Sequence, residues 1–213
     1  MKLTSQSFAD MGAIPGECAF CVIDPDPAKH VAMSGNRNPH LAWDGAPAGT
    51  QSFALICHDP DAPSQGDDVN QPGREISAEL PRVEFFHWVL IDIPAAQREI
   101  AAGSLSNGIT AHGKPGPQVE RLPGALQGLN DYTQWFASDP EMKGQYHGYD
   151  GPCPPWNDSI AHRYVFTLYA LDAPRLPVTG PLNGPAARAA MRGHVLAQAA
   201  VTGVYTLNPR LGK

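Results

Sequence analysis

Acidic, imidazole and phenol side chains recur at three points of the sequence, each in or beside a short apolar run. Asp59 and Asp61 follow one run, His87 lies in a second, and His-Arg-Tyr at 162–164 opens a third. Carboxylates and imidazoles exchange protons near neutral pH, and an imidazole also donates hydrogen bonds to anions. A buried imidazole needs a partner, since an unsatisfied buried polar group costs about 1–3 kcal/mol. These residue types predict a ligand pocket or acid–base chemistry if the fold brings them together.

The apolar runs that carry these side chains are predicted to be strands. The runs at 52–57, 85–93 and 162–171 are rich in aromatic and β-branched residues, and turn-forming residues bound them. Their length and composition favour strands over helices, and the first run predicts a central strand covered on both faces. Pro60 and Pro63 lack backbone N–H groups, so the ladder is predicted to stop there, with both carboxylates near a strand end.

The remaining sequence predicts further strands, long loops and one helix. Apolar stretches at 18–23 and 204–207 suggest strands, whereas the alanine-rich stretch 186–200, with apolar residues four apart, predicts a helix. Residues 95–160 are predicted to be mostly loop, and loops of this length are usually functional or mobile. Glycine and proline number 21 and 22 among 213 residues, which fits many turns. Residues 1–213 are expected to fold as one mainly β domain.

Charge and hydropathy exclude some classes of function. The formal net charge is −6 and no dense run of lysine or arginine occurs, which argues against nucleic-acid binding. No apolar stretch approaches the ~20 residues needed to span a bilayer. Polar residues follow Leu3 at once, so no apolar core of a signal peptide forms. These features predict a cytoplasmic protein without a membrane span.

The four cysteines leave a metal or redox role open. Cys18 and Cys21 have the spacing of redox and half-zinc motifs, but they lie in a predicted strand rather than at a strand-to-helix turn. Cys57 and Cys153 are far apart in sequence and form no second close pair for zinc. The simpler interpretation is four small, partly buried apolar side chains. No cofactor and no metal are predicted.

Five short motifs resemble those of the phosphatidylethanolamine-binding protein family, which includes the Raf-kinase-inhibitor-like proteins. They are Asn-Arg-Asn-Pro-His-Leu-Ala-Trp at 36–43, Asp-Pro-Asp-Ala-Pro at 59–63, His-Trp at 87–88, Gly-Pro-Cys-Pro-Pro at 151–155 and His-Arg-Tyr at 162–164. Each motif alone is weak, but five in the family's order over nearly the whole chain are specific. The long spacers on either side of the His-Trp motif are similar to those of the bacterial branch of the family.

This resemblance implies a fold and a ligand site. The fold is a β-sandwich of largely antiparallel strands with a few peripheral helices, one of them near the C-terminus. The site is a pocket at one end that accepts phosphate, phosphate esters and similar small anions. Transferred motif by motif, the lining residues are Asp59, Asp61, Pro63, His87, Gly151, Pro152, His162 and Tyr164. The imidazoles, the tyrosine hydroxyl and backbone N–H groups near Gly151 would donate to the anion, and the carboxylates would fix a histidine tautomer and raise its pKa.

Plainer roles for the same residues remain open at this point. Asp59 and Asp61 are of the type that caps turns, and His87 could be a satisfied core histidine. Arg163 is expected to form a structural bidentate pair rather than to contact a ligand.

Binding of a small anionic or phosphorylated ligand is the function predicted from the sequence, with modulation of a partner protein as its extension. The alternative is a hydrolase that cleaves a phosphoester or ester with the same aspartates and histidines, and Cys153 is its candidate nucleophile. No serine nucleophile elbow and no His-Glu-x-x-His motif occurs, so no enzymatic activity is predicted. Trp135 and Phe136 are predicted to cover a pocket or form an interface. The resemblance also implies a homodimer, whereas nothing in the residues demonstrates kinase inhibition.

Overall fold

The computed structural model describes residues 1–26 and 28–211, and strands dominate it. In chain order the strands are β1 (Lys2–Thr4), β2 (Gly12–Ala13), β3 (Cys21–Ile23), β4 (Val31–Met33), β5 (Leu41–Asp44), β6 (Ser52–Pro63), β7 (Arg82–Pro94), β8 (Glu99–Ile100), β9 (Leu126–Gln127), β10 (His162–Leu171) and β11 (Val195–Tyr205). The helices are α1 (Tyr132–Trp135) and α2 (Gly184–Ala190), with a 3-10 turn at Gly16–Cys18. No helix in this part of the chain has the length and apolarity needed to cross a bilayer.

Four long strands form the centre of a six-stranded sheet. Its order is β2-β11-β10-β6-β7-β9, and every pair is antiparallel except β2 with β11. The three runs predicted as strands are β6, β7 and β10, which confirms those predictions. Because β6 lies between β10 and β7, the three elements that carry the candidate residues are direct neighbours.

Both faces of β6 are buried, as predicted for a central strand. Phe53 and Leu55 pack into a core shared with the three-stranded sheet β1-β5-β8, which contributes Trp43. The alternate residues Ala54 and Ile56 pack on the other face, against α2 and the segment before it. The two-residue period of a strand thus divides the chain between two cores. The result is the mainly antiparallel, layered β fold expected, with a helix near the C-terminus.

The predicted helix at 186–200 is wrong in its second half. The helix α2 ends at Ala190, Gly193 takes a positive φ of 83°, and the chain returns as β11, which pairs along the length of β10. Alanine favours helices intrinsically, but the ladder with β10 and the packing of Ala197 and Ala199 against the core outweigh this preference.

Two strand boundaries also differ from the sequence-based predictions. The strand β6 does not stop before its prolines but continues to Pro63, with an irregular register opposite β7 after Asp59. Proline is tolerated at such irregularities because the ladder there needs fewer N–H donors. The strand predicted at 18–23 is reduced to β3, because a 3-10 turn precedes it.

Candidate ligand-binding site

A cavity of about 480 Å³ opens where β6, β7 and β10 meet the loops at one end of the central sheet. Its polar part consists of Asp59, His87, His162 and Tyr164, at least one from each of the three strands. The rest of its wall is largely apolar, and its aromatic rings are those of Phe20, Phe85, Tyr132, Trp135 and Phe136. The cavity therefore has a buried polar end built by the central strands and an apolar wall to which strands, α1 and loops all contribute.

The structure brings five of the eight predicted pocket residues to this cavity. These five are Asp59, Pro63, His87, His162 and Tyr164. Trp135 and Phe136 line the cavity as well, which agrees with the first of their two predicted roles, covering a pocket or forming an interface. Asp61, Gly151 and Pro152 are not among the lining residues.

Four ionisable side chains form a continuous hydrogen-bonded chain behind the polar end. Nδ1 of His162 is 2.7 Å from Oδ2 of Asp59, and Nε2 of His162 is 3.0 Å from Oδ2 of Asp158. Asp158 also accepts both Nη groups of Arg82, at 2.6 and 3.1 Å. Two carboxylates, one imidazolium and one guanidinium balance their formal charges, which makes their burial tolerable.

His162 is held as an imidazolium by its two carboxylate neighbours. Burial lowers the pKa of His162, but hydrogen bonds to Asp158 and Asp59 outweigh burial and raise the pKa from 6.5 to about 9. Burial alone would raise the pKa of Asp158, and the hydrogen bonds from His162 and Arg82 hold it below its usual value. Both ring N–H groups of His162 are used within the protein. This residue therefore fixes Asp59 and has no N–H left for a ligand.

We expect the stability of the protein to decrease between pH 6.5 and about pH 9 because of His162. Its folded-state pKa of about 9 lies above the unfolded value of 6.5. The contribution of the His162 imidazolium to stability is therefore complete below the pKa of the unfolded state. It is lost as the pH rises through the pKa of the folded state. A shift of this size corresponds to about 3 kcal/mol. Urea unfolding at half-unit pH steps measures the loss, and NMR titration of the imidazole gives the pKa directly.

The matched control for this pH dependence is His162→Gln, in which the loss should disappear. The buried thiols also lower stability above about pH 8.5, the ordinary pKa of a cysteine, and they do so equally in the variant. An unfolding free energy in the wild type that stays constant from pH 6.5 to 8.5 would contradict the imidazolium assignment.

His87 has one protein partner among the residues described, in contrast to His162. Its Nδ1 lies 2.7 Å from the carbonyl oxygen of Asp150, which can only accept, so Nδ1 carries the hydrogen. Burial lowers the pKa of His87 below its ordinary value, although the Asp59 carboxylate opposes this. The neutral ring therefore leaves Nε2 as an unprotonated acceptor at the polar end of the cavity.

The loop that orients His87 is held by a buried carboxylate that the sequence analysis did not single out. Asp150 accepts from Asn36 at 2.7 Å, from Asn130 at 2.8 Å and from Nζ of Lys114 at 2.5 Å. Its backbone N–H also donates to the carbonyl oxygen of His87 at 3.1 Å. His87 and Asp150 are thus joined twice. Of the three side chains that donate to the Asp150 carboxylate here, only that of Asn36 lies in a motif that the sequence had indicated.

Three predicted ligand residues are engaged within the protein instead. The carboxylate of Asp61 accepts from Nε and Nη2 of Arg163, at 2.9 and 2.7 Å, which is the bidentate pair expected for that arginine. The N–H of Gly151 donates to Oδ1 of Asn36 at 2.8 Å, so it is not available to an anion. The carbonyl oxygen of Pro152 accepts two N–H groups from the segment that enters β3.

A disulfide forms part of the cavity wall, which corrects the interpretation of all four cysteines as unpaired apolar side chains. Cys21 of β3 is bonded to Cys153, and both residues line the cavity. The two positions are 132 residues apart, so their spacing gave no indication of the bond. Cys153 carries no thiol in this state and is not available as the nucleophile of the alternative hydrolase.

The other two cysteines, Cys18 and Cys57, are buried free thiols. Burial raises the pKa of both, that of Cys18 to about 11. A thiol that stays protonated is a poor nucleophile and a poor metal ligand. Within residues 1–26 and 28–211, no group of three or more His, Cys, Asp or Glu side chains is arranged to hold a metal ion.

The fold and the site define a mainly β protein with a cavity at one end of its central sheet. A family profile described as PBP, phosphatidylethanolamine-binding protein, matches residues 4–206. The UPF0098 protein YbhB of Escherichia coli K12 is 30% identical over 97% of this chain and 100% of its own length. A UPF0098 protein of Methanothermobacter thermautotrophicus is 34% identical over 96% of this chain and 98% of its own. The crystal structure of E. coli YBCL, described as a new member of the mammalian PEBP family, has a TM-score of 0.66 at 26% identity, over 96% of this chain and 97% of that one.

The chain belongs to the phosphatidylethanolamine-binding protein family, as its five motifs indicated.

Proposed function

We propose that this protein binds a small phosphorylated ligand at the polar end of the cavity. The observation that carries the proposal is the free Nε2 of His87 at that end, beside the Asp59 carboxylate. The ring of Tyr164 lies 5.0 Å from the ring of His87 between centroids, and its hydroxyl can donate to an anion oxygen. The volume of about 480 Å³ falls in the range of small-molecule sites, roughly 300–1,000 Å³.

The charges near this site are balanced, so hydrogen bonding selects the ligand in this proposal. The buried chain of Asp59, His162, Asp158 and Arg82 contains two anions and two cations. Asp61 and Arg163 neutralise each other beside it. A buried site without net charge neither repels an anion strongly nor attracts every anion, and directed hydrogen bonds then set its preference.

Titration with inorganic phosphate and phosphoethanolamine tests the proposal, with NMR detection of the imidazole protons. We expect saturable shifts of the His87 signals and smaller shifts at His162, which is one hydrogen bond further from the ligand. In His87→Ala the affinity should fall at least about tenfold, the effect of losing one hydrogen bond to a charged group. The matched control is His194→Gln, since the side chain of His194 is exposed and pairs with Asp172 on the surface. No shift at millimolar concentrations of either ligand would contradict the proposal.

We propose binding without turnover. His162, with a pKa of about 9 and both ring nitrogens bonded to carboxylates, is a poor general base near neutral pH. The hydrolase alternative therefore rests on His87 and Asp59 alone. Incubation with p-nitrophenyl phosphate and p-nitrophenyl acetate tests it, and turnover by the wild type that is lost in His87→Ala would establish it.

Assembly and location are proposals with separate support. A homodimer and a protein partner are proposed from the family resemblance, and Met33, Val83 and Trp135 provide exposed apolar surface at the cavity. Sedimentation velocity measures whether the protein is a dimer in solution.

The Cys21–Cys153 bond argues against the cytoplasmic location expected from the sequence, because disulfides persist in oxidising compartments and are rare in the cytosol.

A further inference from the structure

Most hydrogen-bond donors around the polar end of the cavity are already used by the protein. Both N–H groups of His162 bind carboxylates, and the hydroxyl of Tyr132 donates to the carbonyl oxygen of Gly151 at 2.8 Å. The N–H of Gly151 is bonded to Asn36. The groups that remain are mainly acceptors, and they belong to Asp59 and His87.

These acceptors are Nε2 of His87 and the Asp59 carboxylate. The two oxygens of Asp59 already accept one hydrogen bond each, from Nδ1 of His162 and from the backbone N–H of Asp61, and each keeps a second lone pair. The tautomer of His87 is fixed by geometry, because the Asp150 carbonyl oxygen can only accept and therefore places the hydrogen on Nδ1. Tyr164 supplies one hydroxyl donor, and it is buried with them. The other polar side chains that line the cavity, Ser64, Gln65 and Asn70, are exposed at its outer part. A ligand that reaches the polar end must therefore bring a hydrogen of its own.

We propose that the site binds phosphate or a phosphomonoester together with a proton and discriminates against sulfate. The ligand's P–OH group donates to Nε2 of His87 or to the Asp59 carboxylate, and the hydroxyl of Tyr164 donates to an unprotonated phosphate oxygen. Sulfate has the same shape but carries no proton near neutral pH. This inference rests on the proposed function and adds the protonation state of the ligand.

The charged and titratable groups that face His87 come from four elements. They are Asp59 from β6, His162 and Tyr164 from β10, Tyr132 from α1 and Asp150 from the loop before Gly151. Asp59 and Asp150 favour a proton on His87, whereas His162 and burial disfavour it. The balance leaves the free ring neutral, so binding of the ligand supplies the proton. Because a phosphomonoester loses its second proton with a pKa of about 6, affinity should fall as the pH rises above that value.

Calorimetry with inorganic phosphate and with sulfate, at pH 6 and pH 8, tests the inference on the wild-type protein. At pH 6 we expect phosphate to bind at least about tenfold more tightly than sulfate. From pH 6 to pH 8 the affinity for phosphate should fall, because inorganic phosphate loses its second proton within this interval. For a phosphomonoester such as phosphoethanolamine, whose second pKa is about 6, the affinity should fall about ten- to hundredfold. At pH 8, parallel titrations in buffers of different ionisation enthalpy should show uptake of close to one proton per phosphate.

The outcomes separate this inference from the function on which it rests. Equal affinities for phosphate and sulfate without proton uptake would overturn the inference and leave ligand binding intact. Binding of neither ion would overturn both. Asp59→Asn adds a second measurement, because an amide presents a donor where the carboxylate presents only acceptors. In that variant the ratio of phosphate to sulfate affinity should fall toward one.

Discussion

Replacing Asp158 by asparagine should lower the free energy of unfolding by about 3–5 kcal/mol at pH 7, the usual cost of removing one partner from a buried ion pair. Asp158 is 1% exposed and accepts hydrogen bonds from His162 and from both Nη groups of Arg82. The amide of asparagine carries no charge, so the imidazolium and the guanidinium lose their shared anion. The pKa of His162 should fall from its value of about 9, because one of the two hydrogen bonds that raise it is weakened. Urea unfolding and NMR titration of His162 measure the two effects.

An exposed histidine–aspartate pair provides the matched control for Asp158. Asp172 accepts from Nδ1 of His194 at 2.8 Å, but both side chains are well exposed. Exposed pairs contribute roughly 0–1 kcal/mol, so Asp172→Asn should change stability by no more than that. If the two substitutions cost the same, the buried chain of charges behind the cavity does not have the role assigned to it.

Removal of the disulfide, by replacing Cys21 and Cys153 together with serine, should cost about 2–5 kcal/mol of stability. The bond closes a loop of 132 residues, and a long loop loses much conformational entropy in the unfolded chain when it is cross-linked. It also attaches the two-stranded β3–β4 sheet, which supplies Val31 and Met33 to the cavity wall, to the loop at 153. The melting temperature of the variant should therefore fall, and phosphate affinity should fall with it.

A reducing agent provides the control for the disulfide prediction. Dithiothreitol should lower the melting temperature of the wild type toward that of the double variant and leave the variant unchanged. Cys57→Ala removes a buried thiol outside the disulfide, and it should keep the response to the reducing agent. A wild type whose melting temperature does not respond to complete reduction would show that the bond contributes no stability.

The strands and their burial could be predicted because each depends on a local pattern. The runs that became β6, β7 and β10 are short, apolar and bounded by breakers, and a central position follows from that pattern. The same criterion gave a wrong prediction for the second half of the stretch 186–200. Its alanines favour a helix locally, whereas its pairing with β10 depends on residues that are distant in sequence. Local preference therefore predicts an element only where tertiary pairing agrees with it.

The residue types of the candidate site could be predicted from the sequence, but the hydrogen-bond partners of these residues could not. Alternation along β10 places His162 and Tyr164 at the cavity and Arg163 on the opposite side, where it pairs with Asp61. No sequence pattern indicated Asp158 as a site residue, because an aspartate in a loop has many ordinary roles. Its hydrogen bonds with His162 and Arg82 depend on the complete fold. Asp150 was missed for the same reason.

The separation of the two disulfide-bonded cysteines has a consequence for biosynthesis. As the chain is made from its N-terminus, Cys18, Cys21 and Cys57 emerge well before Cys153, the native partner of Cys21. During that interval Cys21 has the neighbouring Cys18 within easy reach, and an oxidant acting early would join these two thiols. Such a bond must be exchanged through attack by a third thiolate before the native pair can form. The yield of native protein from oxidative refolding should therefore increase when a thiol–disulfide exchange buffer or a disulfide isomerase is present.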